Sequence, residues 1–465
     1  MRYANHGMIT ALTQSFNPQR LFMDLDTLKQ IAEDVLKLAK HAGASSAETE
    51  VSYGIGQNVS VRLGEVENIE YNRDKGVSVT VYFQDRKGHA SSSDVSPQAL
   101  KDTVEAACNI AKFTANDPFC GLADAALMAK AFPDLSLSHP WDISVDDAID
   151  IAKQCEQAAL DVDSKRITNS EGASVYTNAG VFAYANSHGF NNGYPSTRHS
   201  ISCSVIAEEN DAMQRDYWYT SARAAEDLAS AIEVGKRAGE RTVRRLGCQP
   251  IKTGQYPVLF EAPLAGSLIS SLISAISGGS LYRKSSFLLD SLGKSVGASL
   301  LNIQEAPHLM RGSASSPFDS EGVATYARQL VQNGVLQGYV LSSYSARKLG
   351  MQTTGNAGGA HNLIVQDTQH SFDDLLKRMG TGLLVTEVLG HGLNMVTGDY
   401  SRGAAGFWVE NGVIVHPVEE ITIAGNMKEM LHSIIGIGTD VIPHSSKLTG
   451  SILLERMTVA ASDAS

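Results

Sequence analysis

The stretch Gly380-Thr-Gly-Leu-Leu-Val-Thr-Glu-Val-Leu-Gly-His-Gly-Leu-Asn394 places a glutamate and a histidine in an apolar run bounded by glycines. Its centre, T-E-V-L-G-H, has the pattern of a zinc-binding helix that has lost its first ligand. A histidine at position 386 would give H-E-x-x-x-H, in which imidazoles hold the metal and Glu387 takes a proton from the bound water. Threonine is a poor zinc ligand, so Thr386 predicts that this chain does not assemble such a site alone.

The spacing of this segment also predicts its shape. Residues i and i+5 lie ~140° apart around an ideal helix, so a bulge or an unwound turn must bring positions 386 and 391 to one side. Gly390 can supply that irregularity, because glycine tolerates conformations that are closed to other residues. We therefore predict a helix over 386–391 that is distorted at Gly390.

Idiosyncratic runs flank this segment over most of the chain. They are Arg198-His-Ser, Gly278-Gly-Ser-Leu-Tyr-Arg-Lys-Ser285, Pro317-Phe-Asp-Ser-Glu-Gly322, Ser343-Tyr-Ser-Ala-Arg-Lys-Leu349, Thr397-Gly-Asp-Tyr-Ser-Arg-Gly-Ala-Ala-Gly-Phe-Trp-Val-Glu-Asn-Gly412 and Pro417-Val-Glu-Glu-Ile-Thr-Ile-Ala-Gly-Asn426. Through these runs and the stretch 380–394, nearly the whole chain after Leu25 resembles the TldD/PmbA (TldD/TldE) family.

The resemblance implies a PmbA (TldE)-type subunit, the metal-free half of a heterodimeric metalloprotease whose zinc belongs to a TldD-like partner. The family's active subunits carry H-E-x-x-x-H and recruit a late cysteine, whereas this chain has Thr386 and no cysteine after Cys248. Such a complex is expected to cleave unfolded peptides and to mature modified peptide precursors. Homodimerisation of the isolated chain is a further expectation.

The motif itself supplies few candidate site residues. Glu387 is a vestigial catalytic candidate, and His391 is the only candidate metal ligand, because no other histidine of this half is at a spacing that fixes it beside His391. We therefore expect no cofactor in this chain. Glu387 is expected to be held by backbone amides or by an arginine such as Arg402.

The glycine-rich run after Thr397 predicts a groove for an extended peptide or a partner. Glycines let one main chain approach another, and the exposed edge of a sheet can bind a peptide by strand addition. Core packing in a hairpin explains the two aromatic residues of this run equally well, since alternate strand residues face the interior. The expected binding residues are Asp399, Tyr400, Ser401, Arg402, Gly403, Phe407 and Trp408.

Composition excludes several classes of partner. The formal net charge is -12 and no basic run stands out, which argues against nucleic acid. The 5 cysteines are widely spaced without a C-x-x-C pair, which favours reduced thiols. No apolar stretch is long enough to cross a bilayer and no secretory signal is evident, so we predict a cytoplasmic protein without a membrane partner.

The periodicity of apolar residues predicts an α+β fold. Residues 1–24 are expected to form a flexible extension, and 25–246 an N-terminal domain of helices and antiparallel strands with a sub-boundary near 116–140. Helices are expected to begin at Asp26, Ser96 and Ser144. The C-terminal domain, 247–465, is predicted to be a large curved or barrel-like antiparallel sheet with a few helices, because Asn-Gly pairs at 333–334 and 411–412 join alternating runs.

Two other functions stay open at this point. The chain could be an autonomous zinc metallopeptidase that uses Glu387 and His391 with ligands from elsewhere. It could also be a non-enzymatic protein that binds peptides. Zinc content of the purified chain, and co-purification with a TldD-like chain, separate the three hypotheses.

Overall fold

The computed structural model describes residues 23–461, so the predicted extension 1–24 lies outside the described residues except for Met23 and Asp24. The fold divides into two compact units. Unit 1 contains the chain up to Lys130 with Asp134–Arg244 and Ser320–Val323. Unit 2 contains Ala131–Pro133, Arg245–Asp319 and the chain from Ala324 onward.

Unit 1 is built on one six-stranded antiparallel sheet in the order β3-β2-β1-β4-β5-β6. Its main strands are longer than the sequence predicts. In β1, every second residue is buried, including Val51, Ile55, Val59 and Val61, and this pattern continues from one end of the strand to the other. The predicted strands 48–55 and 58–63 are therefore one strand. The six strands are β1 (Ser46–Arg62), β2 (Glu65–Phe83), β3 (Arg86–Ser92), β4 (Ile167–Asn186), β5 (Asn191–Glu209) and β6 (Ala212–Ala222).

Four helices cover the face of this sheet that carries the buried residues. The predicted starts at Ser96 and Ser144 are confirmed, since each hydroxyl accepts from a backbone amide of the first turn. The first helix is capped by Asp24 and not by Asp26, because the Asp24 carboxylate accepts from Thr27 N and the helix therefore starts two residues earlier. These helices are α1 (Leu25–His41), α2 (Pro97–Phe113), α3 (Val145–Leu160) and α4 (Ala231–Val243).

Unit 2 contains the predicted barrel-like sheet. Its strands β14, β13, β12, β7 and β17 pair in that order, and a further pairing of β14 with β17 closes the ring. The pairing of β7 with β12 is parallel, so the sheet is not purely antiparallel as predicted. The strands are β7 (Gly254–Phe260), β12 (Gly382–Leu389), β13 (Asp399–Glu410), β14 (Val413–Asn426), β15 (Ile434–Ile437), which lies beside β17, and β17 (Ile452–Ala461).

The rest of unit 2 supports this barrel. A second sheet contains β8 (Ile303–Glu305), β9 (Arg328–Gln332), β10 (Val335–Leu336), β11 (Leu363–Val365) and β16 (Lys447–Leu448). The apolar helix α5 (Ala262–Ala275) shares one core with the barrel and this sheet. Helix α8 (Phe372–Met379) covers a second, smaller core. The remaining helices are α6 (Gly278–Tyr282), α7 (Ser343–Lys348) and α9 (Met427–His432).

No helix between residues 23 and 461 combines the length and the apolar character that a membrane crossing requires.

Candidate functional site

The segment that carries the zinc-like motif is a strand and not the predicted helix. Residues 382–389 form β12, which pairs with β7 on one side and with β13 on the other. Leu383 and Val385 face the larger core while Leu384 faces the smaller one, so the apolar run buries both faces of a central strand. Gly390, with φ +73°, follows the last residue of the strand.

Thr386 occupies an irregularity in this strand. The register between β12 and β13 shifts from Val385 to Glu387, so Thr386 is the extra residue of a β-bulge. Its side chain is buried, and its Oγ1 has no hydrogen-bond partner among residues 23–461. The sequence predicted an irregular helical turn at Gly390, and this was wrong because the segment is a strand, so the bulge at Thr386 is a different feature.

Glu387 forms an ion pair with Arg245. Both side chains are partly shielded, at 32% exposure for Glu387 and 13% for Arg245. The sequence suggested Arg402 as the partner, and the register explains why this was wrong: Gly403 pairs with Leu389, so Arg402 lies beyond the end of β12. The Arg402 guanidinium instead donates to the carbonyl of Gly390 at 2.6 Å.

The side chains around the motif do not fit a zinc ion. The Arg245 guanidinium puts a positive charge against the carboxylate that would serve a metal-bound water. His391 is exposed on the turn after β12. Within residues 23–461, no group of three His, Cys, Asp or Glu side chains is arranged to hold a metal. Among the other histidines of this half, five contact Thr325 (His308), Glu305 (His361), Thr368 (His370), the Pro417 carbonyl (His416) and Ser295 (His432).

The glycine-rich run forms the first half of β13, which is not a sheet edge. It pairs with β14 on one side, and on the other side Ser401 N donates to Gly392 O at 2.7 Å. Strand addition at this run, which the sequence suggested, is therefore excluded because both sides of the ladder are already hydrogen-bonded. Ser401 is exposed and Arg402 and Gly403 are half-buried.

Asp399 and Tyr400 begin this strand in different surroundings. The exposed Asp399 carboxylate accepts from Thr397 Oγ1 at 2.7 Å and from Asn426 Nδ2 at 3.1 Å, and these hydrogen bonds lower its pKa. Tyr400 is 4% exposed, and burial raises the pKa of its phenol. Asp399 thus fixes the turn that leads into β13, while Tyr400 is part of the core.

Phe407 and Trp408 are core residues of the barrel and do not form the wall of an open groove. They alternate along β13, so Phe407 lies in the smaller core and Trp408 in the larger one. Trp408 meets Tyr256 edge to face at 4.9 Å, and its Nε1 donates to Glu410. Of the two interpretations offered by the sequence, hairpin core packing is the one that holds.

A buried polar cluster in unit 2 escaped the sequence analysis. The Glu305 carboxylate, 1% exposed, accepts from Arg328 Nε at 2.8 Å and Asn356 Nδ2 at 2.7 Å, and lies 3.0 Å from His361 Nδ1. Burial raises the pKa of Glu305, but the hydrogen bond with His361 and the charge of Arg328 outweigh it and lower the pKa to about 2. Because its members are far apart in sequence, only the fold brings them together.

Helix α4 carries another arrangement that the sequence missed. Arginines at helical spacing in residues 237–245 suggest a solvated face, but Arg241 is 7% exposed and its Nε lies 3.3 Å from Asp216 Oδ2. The guanidinium of Arg237 stacks over Trp218 at 3.7 Å. These side chains pack α4 onto β6 and are structural.

Three family models match successive parts of the chain. They describe PmbA/TldA metallopeptidase domain 1 over residues 47–111, the central domain over 138–246 and the C-terminal domain over 253–461. The chain is 51% identical over 433 residues to metalloprotease PmbA of Escherichia coli O157:H7, covering 93% of this chain and 96% of that protein. It is also 51% identical over 434 residues to the metalloprotease PmbA homolog of Haemophilus influenzae, with coverage of 93% and 96%.

Solved structures agree with these matches. A candidate modulator of DNA gyrase from Bacteroides thetaiotaomicron has a TM-score of 0.90 and 28% identity, covering 95% of this chain and 100% of that one. TldE from Thermococcus kodakarensis shares the fold, with a TM-score of 0.80, 20% identity and coverage of 93% and 100%. The chain belongs to the PmbA/TldD metallopeptidase family.

Proposed function

We propose that this chain is the metal-free, PmbA (TldE)-like subunit of a heterodimeric metalloprotease whose catalytic zinc belongs to a TldD-like partner. The observation that carries the proposal is the ion pair of Glu387 with Arg245 beside a threonine at the first ligand position. A guanidinium against this carboxylate disfavours a divalent cation there, because like charges at contact distance repel. Glu387 therefore acts as a structural anion for Arg245.

The surface next to the degenerate motif suits a protein partner. Leu389 and Val396 flank the exposed turn with 56% and 58% of their surface accessible, which leaves two aliphatic side chains available for an apolar contact. The hydrogen bond from Arg402 to the Gly390 carbonyl fixes the start of this turn. We propose that residues 389–403 face the TldD-like subunit or a peptide that this subunit holds, with Asp399, Ser401, Arg402 and Gly403 contributing polar contacts.

The substrate and location follow from the same proposal. The complex cleaves unfolded peptides and matures modified peptide precursors in the cytoplasm, and this chain shapes the complex without performing the hydrolysis. The printed name of the relatives, metalloprotease PmbA, supports a role in peptide cleavage.

Metal content measures the central claim directly. The purified chain is expected to contain far less than one zinc per molecule, and His391→Ala should leave this value unchanged. Mixed with a TldD-like subunit, it should yield a complex whose peptide cleavage survives Glu387→Gln in this chain and disappears when the partner's own glutamate is replaced. Stoichiometric zinc in the isolated chain that His391→Ala removes would instead establish an autonomous metallopeptidase.

Binding to the TldD-like subunit tests whether the exposed turn is a contact surface for that subunit. Val396→Asp should reduce co-purification with the TldD-like subunit at least about ten-fold, because it places a charge in an apolar contact. Val413→Asp is the matched control, since Val413 is 63% exposed but lies on the β13–β14 hairpin. Equal binding by both variants would refute this surface. Failure to find any partner or any cleavage would leave a peptide-binding protein.

A further inference from the structure

Two arginines lie side by side where β5 passes the end of β6. His199 of β5 pairs with Ala222, the last residue of β6, so Arg198 and Arg223 are the next residues of the two chain segments. Arg223 Nη1 donates to Thr197 O at 3.2 Å, which holds its guanidinium against the strand that carries Arg198. Strand pairing therefore brings two cationic side chains together.

Arg198 lies on the face of the six-stranded sheet that the four helices leave uncovered. Its neighbours Thr197 and His199 are buried on the helix-covered face, and successive strand residues point to opposite faces. Arg198 and Arg223 are both half-buried, so each keeps part of its surface accessible. A ligand on the uncovered face can therefore reach Arg198 and the adjacent Arg223.

The surroundings of the two arginines favour an anion. Burial lowers the pKa of Arg198. Burial and, after it, the charge of Arg198 lower the pKa of Arg223 to about 10, which still leaves Arg223 protonated at neutral pH. Like charges side by side on adjacent strands destabilise the pair, and an anion bound between them adds two attractions that offset this repulsion.

The side chains around this pair suit a carboxylate on an organic molecule. A guanidinium presents its N–H donors in a planar fork that matches the two oxygens of a carboxylate. Burial raises the pKa of the Tyr219 phenol, and the nearby charge of Arg198 counteracts this rise. Tyr194 lies near Arg223 and meets Phe182 edge to face at 4.7 Å. These rings offer apolar surface and hydroxyl groups to whatever carries the carboxylate.

Hydrogen bonds fix the backbone beneath the two arginines. Thr197 Oγ1 donates to Arg223 O at 2.6 Å, which ties the end of β6 to β5. The two ring nitrogens of His199 lie 2.8 Å from Thr177 Oγ1 and 2.8 Å from His139 O. Because these contacts are made within the protein, the arginines lose little further freedom when a ligand binds, and such preorganisation favours affinity.

We propose that Arg198 and Arg223 bind a carboxylate of the peptide substrate and so hold the peptide on the uncovered face of the sheet. This inference rests on the proposed function, because that function makes the ligand a peptide. The site itself requires neither zinc nor Glu387. Two groups of a peptide supply the carboxylate: the C-terminus of the chain and the side chain of an aspartate or glutamate.

Three tetrapeptides test the preference for a carboxylate on the purified full chain by fluorescence anisotropy. Each carries a neutral methoxycoumarin at its N-terminus. One ends in a free carboxylate, one ends in an amide, and one ends in an amide but contains a glutamate. A carboxylate should lower the dissociation constant at least about ten-fold relative to the neutral amide. Tighter binding of either carboxylate peptide supports the site, and the peptide that binds identifies the source of the group.

Variants assign the preference to the two arginines. Arg198→Gln and Arg223→Gln should each raise the dissociation constant of the carboxylate peptide about ten-fold or more and remove its advantage over the amide. Arg198→Lys should retain part of the advantage, because it keeps the charge but loses the planar fork. Arg215→Gln near the other end of β6 is the matched control, since Arg215 already lies 3.1 Å from Glu171, and it should leave binding unchanged.

The comparison of carboxylate and amide peptides on the wild-type chain needs no variant, so it is decisive even where a glutamine variant does not fold. Equal dissociation constants for these peptides, or a preference that neither glutamine variant reduces, overturn the inference. Cleavage by the complex with the TldD-like subunit that persists alongside such a result leaves the proposed function standing. Stoichiometric zinc in the isolated chain overturns the proposed function instead, so the two failures are distinguishable.

Discussion

Thr386 stands at the position where the zinc motif requires a histidine, and its surroundings are those of a bulged strand. Its hydroxyl is buried and finds no hydrogen-bond partner in the part of the chain that the structure describes, and the adjacent Glu387 is neutralised by Arg245. A buried hydroxyl without a partner lowers stability, since its hydration is lost and nothing replaces it. The sequence singled out Thr386 and Glu387 and expected backbone amides or an arginine such as Arg402 to hold Glu387; the arginine is Arg245, because ion pairing depends on register.

Replacing the Thr386 hydroxyl by a methyl group should therefore not destabilise the protein. Thr386→Val is expected to leave the free energy of unfolding unchanged or to raise it by up to about 1 kcal/mol. Thr177→Val is the matched control: its equally buried hydroxyl lies 2.8 Å from His199 Nδ1, and removing it should lower the free energy by about 1–2 kcal/mol. Urea unfolding of both variants measures the difference. Equal losses would mean that the Thr386 hydroxyl has a partner after all.

The helices and strands show which elements a local sequence pattern can predict and which it cannot. The capped starts of α2 and α3, and the Asn411-Gly412 hairpin, were predictable from the sequence because each depends on a few adjacent residues. The T-E-V-L-G-H segment was read as a helix, but barrel closure makes it a central strand. An apolar run of this length fits either structure, and only its neighbours decide.

The crossing of α3 and α4 depends on glycine. A Cβ at Gly235 of α4 would lie 1.8 Å from the carbonyl oxygen of Cys155 in α3, so Gly235→Ala must push the helices apart. We expect a loss of about 1–3 kcal/mol in the free energy of unfolding. Gly266→Ala in α5 is the matched control: its Cβ would meet only Lys447 Cβ at 3.5 Å, so alanine should stabilise the helix by roughly 0.5–1 kcal/mol. The thermal unfolding midpoints of Gly235→Ala and Gly266→Ala should move in opposite directions, and a shift of both in the same direction would contradict this account.

The acid stability of the whole protein should depend on the Glu305 cluster. The folded pKa of Glu305 is about 2, below its ordinary value of 4.5, so its contribution is complete above about pH 4.5 and is lost as the pH falls towards 2. Glu305→Gln leaves Arg328 without its carboxylate and should lower the free energy of unfolding by about 3 kcal/mol at pH 7.

Urea unfolding between pH 7 and pH 3 checks this prediction. The difference between wild type and Glu305→Gln should shrink on acidification. Glu105→Gln, which breaks an exposed ion pair with Lys101, should change stability by less than about 0.5 kcal/mol at any pH. A pH-independent difference for Glu305→Gln would show that the carboxylate charge is not responsible.

The sequence by itself determined the family, the α+β class, most helix starts and the threonine at the first ligand position of the zinc motif, because each of these depends on residue identity or on a short local pattern. Tertiary structure alone decided that the motif is a bulged strand, that Arg245 neutralises Glu387, and that Phe407 and Trp408 are core. It also revealed the Glu305 cluster and the adjacent Arg198 and Arg223. The physical reason is the same throughout: strand register and long-range packing bring together residues whose separation in sequence carries no local signal.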